Sequence, residues 1–347
     1  MKSLLMLPLW LVQVFTWSKS FRSNPIIGSP VLNRLGLHVL RVVVAEGLFR
    51  WRLWLLSPLV DREDRRMFRE QGWILKRDFL PPEAFAALKG ELLGYRGEIT
   101  EVQEGDTRTQ RVLLTRQTLQ ALPRCRALVE HPALDRVMRY ASSKNRPPLY
   151  YIENLRLRAV DSALKDPQQD LHSDTFHPCV KAWLFIDDVS ARNAPHVYVP
   201  GSHRLTWNRL KWEYRESLAA SAAGKQPAGD RYWDGSFRVT EQDLGHMGCA
   251  APQSFQVPAN TLLIANVHGF HRRGDATEPS ARMTVWMQAR DNPFNPFVSL
   301  FPHLSARLVE AVWSHYARGR DQRRAAAGQL LLIQGGFDRA STAPPSP

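Results

Sequence analysis

A chain of 347 residues that is 44% hydrophobic carries ample apolar side chain for a packed core, in one large domain or two small ones, and this excludes an intrinsically disordered protein. A net charge of +13 and a pI near 10.0 point to an acidic partner: nucleic acid, an anionic membrane or an acidic substrate. The three cysteines, Cys125, Cys179 and Cys249, are odd in number and widely separated, which argues against a disulfide framework or a cysteine zinc site and fits a reducing compartment.

About half of the excess charge lies at the N-terminus, where residues 1–60 carry seven Lys or Arg against a single acid, Glu46. The apolar run from Leu4 to Trp17 has 14 residues, whereas a helix needs about 20 to span a bilayer. Trp17-Ser18-Lys19-Ser20 is a poor match to the small-residue cleavage site of a secretory signal. Leu35 to Leu56 reads as an amphipathic helix, with Leu37, Leu40, Val44, Leu48 and Trp51 near one face and Arg41, Glu46 and Arg52 off it. Two placements satisfy this pattern. The apolar face can lie in the headgroup layer of a membrane, or it can pack on the rest of the protein with the arginines snorkelling outward. Residues 1–60 are thus expected to form an apolar, basic segment with peripheral membrane contact.

Asp61 to Arg66 is a charged helical stretch, and Gln71 to Leu80 reads as a strand and turn. Pro81-Pro82-Glu83 then fits the start of a helix through Leu93, since proline is tolerated in a first turn. Thr100 to Leu114 suits a strand pair, and Leu149 to Val160, after Pro147-Pro148, a half-buried strand. Next come Leu171-His172-Ser173-Asp174 and an apolar strand from Val180 to Ile186. Asp187-Asp188 ends that strand. A turn follows through Asn193 and Pro195 to Tyr198-Val199-Pro200-Gly201-Ser202-His203, where His203 sits among polar neighbours in a turn. Residues 205–250 form a long insertion of the kind that serves as a lid or binding loop. Two strands, Ser254 to Val257 and Thr261 to Asn266, flank Pro258-Ala259-Asn260. After His268-Gly269-Phe270-His271, Ala281 to Ala289 is a further strand. Leu304 to Tyr316 is helical, Arg318 to Arg324 a basic solvated face, and residues 336–347 a disordered tail by composition.

His172 and Asp174 are two residues apart, so on an extended chain both side chains point to one face and can share a metal ion. A third ligand has to come from downstream, and His271 is the candidate, with His268 its rival. Two histidines and one carboxylate on one face of a metal leave open positions, as non-haem Fe(II) oxygenases require. Arg282 follows His271 by 11 residues, room for a short loop and a return along the adjacent strand. Its planar fork grips a carboxylate with two parallel hydrogen bonds. Arg290, eight residues further along this strand, is the alternative.

Over roughly residues 70–295 the chain resembles the phytanoyl-CoA dioxygenase family. The resemblance rests on His172-x-Asp174, on Tyr198-Val199-Pro200-Gly201-Ser202-His203, and on His271 followed by Arg282. It implies a mainly β double-stranded β-helix, a jelly roll of cupin type with flanking helices, assigned to residues 61–300; the residues beyond it read as a C-terminal helical segment over 301–335. It implies Fe(II) held by His172, Asp174 and His271, with Arg282 binding the far carboxylate of 2-oxoglutarate. The activity implied is hydroxylation of an unactivated carbon by O2, with ascorbate as an optional reductant. Asp174 argues against a halogenase, whose halide takes the carboxylate's place. The basic, apolar N-terminus tilts the expected small-molecule substrate toward a lipid-like or acyl compound and the location toward the cytoplasm, on the inner face of a membrane; nucleic acid is not expected. A non-catalytic, membrane-associated jelly-roll binding protein is the other reading, and it requires a broken metal triad or a blocked arginine.

Overall fold

The computed structural model describes residues 2–162, 166–223, 234–289 and 291–339. Helices α1 (Lys2–Val14), α2 (Pro30–Arg34) and α3 (Leu37–Leu55) precede α4 (Arg62–Glu70), strand β1 (Trp73–Lys76) and α5 (Pro82–Leu93). Asp61 caps α4 by accepting the Asp64 amide, and Pro82 occupies the first turn of α5, where a missing N–H costs nothing. The hairpin β2 (Gly97–Glu104) and β3 (Thr107–Leu113) leads to short helices α6 (Arg116–Gln120), α7 (Pro123–Val129) and α8 (Pro132–Ser142), then to β4 (Leu149–Leu157), β5 (Val180–Phe185) and β6 (His196–Tyr198). The insertion holds α9 (Trp207–Ala223) and α10 (Glu241–Met247). After it come β7 (Gln253–Phe255), β8 (Leu262–Asn266), β9 (His271–Arg273), β10 (Ser280–Ala289), α11 (Pro302–Ala326) and β11 (Leu331–Gly335).

The strands form an antiparallel sheet of eight, in the order β1-β8-β5-β10-β4-β3-β2-β11, and a sheet of three, β7-β6-β9. The extended segment at His172 joins the small sheet by a bridge to His271, with backbone hydrogen bonds of 3.0 Å in both directions. Following the chain, β4, β5, β8 and β10 lie in the large sheet, while the His172 segment, β6, β7 and β9 lie in the small one. This interleaving is the double-stranded β-helix, or jelly roll.

Burial on both faces explains why β5 reads as a nearly continuous apolar run. Ala182 and Leu184 point outward to a cluster shared with Leu88, Leu134 and Met138 of the flanking helices. Phe185 points inward, between the sheets, to meet Trp73, Tyr198 and Leu263. The first of these clusters ties α3, α5, α7 and α8 to the outer face of the large sheet.

Two segments differ from their sequence reading. In α3 it is the polar face that is buried. Arg41 donates Nε to Val14 O (2.9 Å) and Nη2 to Ser18 O (2.6 Å), and its guanidinium lies 4.1 Å from the centre of the Phe176 ring. Arg52 donates to Ser143 O and Asn295 O, and His38 Nε2 meets Glu213 at 2.9 Å. The arginines are therefore inward anchors rather than snorkelling side chains, because backbone carbonyls of three distant segments converge on them. At the other end, residues 336–339 pack on the fold instead of forming a tail. Asp338 pairs with Arg156 and Arg339 with Asp187, both at 2.8 Å, and Phe337 stacks near Tyr95. Residues 340–347 lie outside the described residues, as does Arg290. The C-terminal segment is not wholly helical either, since β11 adds an edge strand to β2.

Candidate metal centre

His172, Asp174 and His271 converge, each offering one ligand atom within 4.8 Å of the others. The His172 and His271 Nε2 atoms lie 3.4 and 3.7 Å from Asp174 Oδ1. Ligand atoms about 2.1 Å from one ion and near a right angle apart are separated by roughly 3 Å, so a small inward shift closes the site around a metal. The tautomers are fixed as well. His172 Nδ1 donates to Asp170 O at 2.7 Å and His271 Nδ1 to Gly269 O at 3.0 Å, which leaves both Nε2 lone pairs facing the centre. Burial pushes His271 down to about 3, with the His172 charge acting in the same direction, so its imidazole is neutral and able to ligate. Burial works against the charge on Asp174. Lys181, 2.6 Å from its Oδ2, outweighs that effect together with the two histidines and holds the carboxyl well below its usual range.

The backbone explains how these residues meet. The Asp174 amide donates to Val267 O, and Lys19, from the N-terminal segment, grips Asp174 O at 2.7 Å. The Tyr198–His203 stretch serves as the support of the His271 loop. Tyr198 donates its hydroxyl to Asn266 O at 2.8 Å, and Ser202 Oγ accepts the Phe270 amide at 2.8 Å. Gly269 is required there, because a Cβ at that position would overlap the Tyr198 hydroxyl. His203 Nε2 donates to Arg69 O at 3.1 Å. His268 Nδ1 donates to Thr175 O at 3.0 Å, and burial lowers it to about 4. Neither belongs to the converging group. Asp187 accepts the Met283 amide and Asp188 the Ala259 amide, so both close the end of β5.

A cavity of about 580 Å³ opens beside the triad. His172, His271, Lys181 and Arg282 line it. Arg282, on β10, is buried, and its Nη1 donates to Asn193 O and Ala194 O. Its Nε is buried without a partner, and among the described residues no carboxylate forms an ion pair with it. Burial, reinforced by Arg273, lowers it to about 10, so it stays protonated at neutral pH. A buried cation with an unspent donor fits a ligand carboxylate. The wall carries Trp183, Trp286 and Trp313, with the Arg111 guanidinium 4.6 Å above the Trp286 ring. Arg318, Arg320 and Arg324 of α11 also line the cavity, so this helical stretch is a wall of the site, not merely a solvated face.

Sequence reasoning left Lys181, Trp183 and Arg273 unassigned. Lys181 was legible by parity, since a lysine inside a strand buried on both faces must find an anion. Arg273 pairs with the fully buried Asp166, fixing the approach to His172, and nothing in the local pattern announced that pairing.

Two imidazoles and one carboxylate beside an open cavity form a donor set able to hold a metal ion, with the composition of the facial sites of non-haem iron enzymes. Residues 68–233 match the model of the phytanoyl-CoA dioxygenase (PhyH) family, a family of iron- and 2-oxoglutarate-dependent enzymes. The match includes His172 and Asp174 and ends before His271 and Arg282, which geometry alone adds. No curated protein matches the chain in sequence. Among solved structures, the chain is similar to HygX from Streptomyces hygroscopicus with nickel and 2-oxoglutarate bound (17% identity, 66% of this chain and 86% of that one, TM-score 0.44). It is also similar to the epimerase SnoN in complex with Fe3+, alpha ketoglutarate and nogalamycin RO (18% identity, 67% and 83%, TM-score 0.43). The alpha ketoglutarate dependent carbocyclase SnoK from nogalamycin biosynthesis is a third (20% identity, 71% and 90%, TM-score 0.39).

Proposed function

We propose that the protein is an Fe(II)- and 2-oxoglutarate-dependent dioxygenase that hydroxylates an unactivated carbon of a small, acidic, lipid-like or acyl substrate. The observation that carries this reading is the convergence of two Nε2 lone pairs and one ionised carboxylate beside a buried arginine that has no acid partner among the described residues. In this reading His172, Asp174 and His271 hold Fe(II). Arg282 holds the far carboxylate of 2-oxoglutarate, its fork aimed by the carbonyls of Asn193 and Ala194. Lys181 keeps Asp174 ionised and oriented. The bound iron and cosubstrate supply O2 activation, with 2-oxoglutarate leaving as succinate and CO2 and ascorbate serving as an optional reductant. Tryptophans beside arginines in the cavity suit a substrate with an apolar body and an anionic end. An intact triad and an open Arg282 disfavour the non-catalytic alternative. Contact of residues 1–60 with the inner face of a membrane belongs to the same reading, and no helix among the described residues is long and apolar enough to cross one.

The test is succinate release from 2-oxoglutarate by iron-loaded protein over a panel of acyl and lipid acids, with mass analysis of the product. Substrate-dependent succinate with gain of one oxygen atom is expected. Turnover that yields an isomer or a cyclised product without added oxygen would replace hydroxylation by another outcome, and no turnover with any acid would remove the substrate class.

A further inference from the structure

The N-terminal helix α3 turns Arg41, Glu46 and Arg52 inward and leaves Leu40, Val43, Val44, Trp51 and Trp54 exposed, with the two tryptophan rings stacked 5.2 Å apart. Helix α11 carries a second exposed apolar stripe. Phe301, Leu304, Leu308, Val312 and Tyr316 follow one another at helical spacing and all are exposed, Val312 at 71%. Just before them stand exposed Phe297 and Leu300, the latter at 84%. Apolar stripes of this length are rare on a surface without a partner.

The segment leading into α11 packs on the N-terminal helices. Phe15, exposed at the end of α1, contacts the Phe294 ring edge-on at 6.3 Å, and Arg52 of α3 donates to Asn295 O at 2.6 Å. The chain runs on from there through Phe297 and Leu300 into α11. Over residues 6–55 and 297–326 every exposed charged side chain is basic, namely Arg22, Arg34, Arg50, Arg307, Arg318 and Arg323. The acids in those stretches are not exposed: Glu46 is buried, Glu310 accepts the Arg116 amide, and Asp321 pairs with Arg320.

We infer that residues 297–316 form the second half of one bilayer-docking face, continuous with α1 and α3, and that its partner is an anionic lipid surface. The charge selects this occupant, because a second copy of the chain would set arginine against arginine, whereas anionic headgroups attract each nearby Lys or Arg and the aromatic and aliphatic side chains insert at headgroup depth. The opposite side of α11, through Trp313, Ala317 and Arg320, lines the cavity, so the docked helix stands between lipid and site. Docking rests on the exposed surface and not on the metal centre, so it can fail while the proposed activity stands.

The test is flotation of the full chain with phosphatidylcholine vesicles with and without phosphatidylglycerol, at low and high salt, with Leu304→Glu/Leu308→Glu/Val312→Glu alongside. The unsubstituted protein should float with the anionic vesicles, and the triple variant should partition at least tenfold less while keeping its thermal midpoint, since all three side chains are exposed. Should the triple variant not fold, Leu308→Glu alone is expected to weaken partition about threefold. Partition unchanged by either variant, no flotation of the unsubstituted protein, or a dimer by light scattering that the triple variant dissolves would each overturn the inference.

Discussion

Replacing Arg282 by alanine is expected to weaken 2-oxoglutarate binding by at least about 30-fold. The magnitude follows from the site. The side chain is buried at 5% exposure, and with its shifted value of about 10 it carries its full charge at pH 7. Nη1 is committed to Asn193 O and Ala194 O, which leaves Nε and Nη2 for the ligand, a two-point grip. Removing one partner of such a buried pair costs roughly 2 to 5 kcal/mol, and about 1.4 kcal/mol corresponds to a factor of ten. Arg282→Lys keeps the charge but loses the fork, so a loss of roughly tenfold is expected there. Calorimetric titration of 2-oxoglutarate into metal-loaded, oxygen-free protein reads both. Affinity of the alanine variant within threefold of the parent would refute the reasoning and move the role to another cation, Arg290 first.

Three further outcomes bear on the scaffold. Gly269→Ala should lower iron affinity with little loss of secondary structure, because the added Cβ collides with the Tyr198 hydroxyl and displaces the loop carrying His271; equilibrium dialysis with Fe(II) checks this. Arg41→Ala should destabilise the fold by roughly 2 to 4 kcal/mol, since the loss of its carbonyl hydrogen bonds exceeds the relief of a buried cation, as urea unfolding would report. Stability should also fall between about pH 6.5 and pH 5. Burial lowers His203 to about 3 and His268 to about 4, so the unfolded chain takes up their protons first. Their contribution is complete above about 6.5 and declines by roughly 1.4 kcal/mol per pH unit for each as the pH drops toward the folded values. Glu213 and Asp243, both lowered to about 2, begin to matter only below about 4.5. A flat urea midpoint from pH 7 to pH 5 would contradict this.

What was legible in the sequence was local. The strand patterns of β4, β5 and β10, the proline start of α5 and the parity of His172 and Asp174 each depend on neighbours a few residues away, and the structure shows all of them. The turn at Tyr198–His203 was visible as a turn, but its task of holding the Asn266–His271 loop depends on a contact 68 residues away. The N-terminal helix shows why pattern alone misleads. Arg41, Glu46 and Arg52 lie off the apolar face and so read as solvent-facing, yet carbonyls from residues 14–18, Ser143 and Asn295 draw the two arginines inward. The same blindness to distant partners hid the packing of residues 336–339 and the edge strand β11.

The central claim is that His172, Asp174 and His271 form one iron site, and anaerobic calorimetric titration with Fe(II) tests it most directly. One equivalent should bind to the parent protein, and His172→Ala, Asp174→Ala and His271→Ala should each weaken that binding at least tenfold, whereas His268→Ala should not. Unchanged stoichiometry and affinity in all three ligand variants, or loss of iron in His268→Ala with retention in His271→Ala, would contradict it.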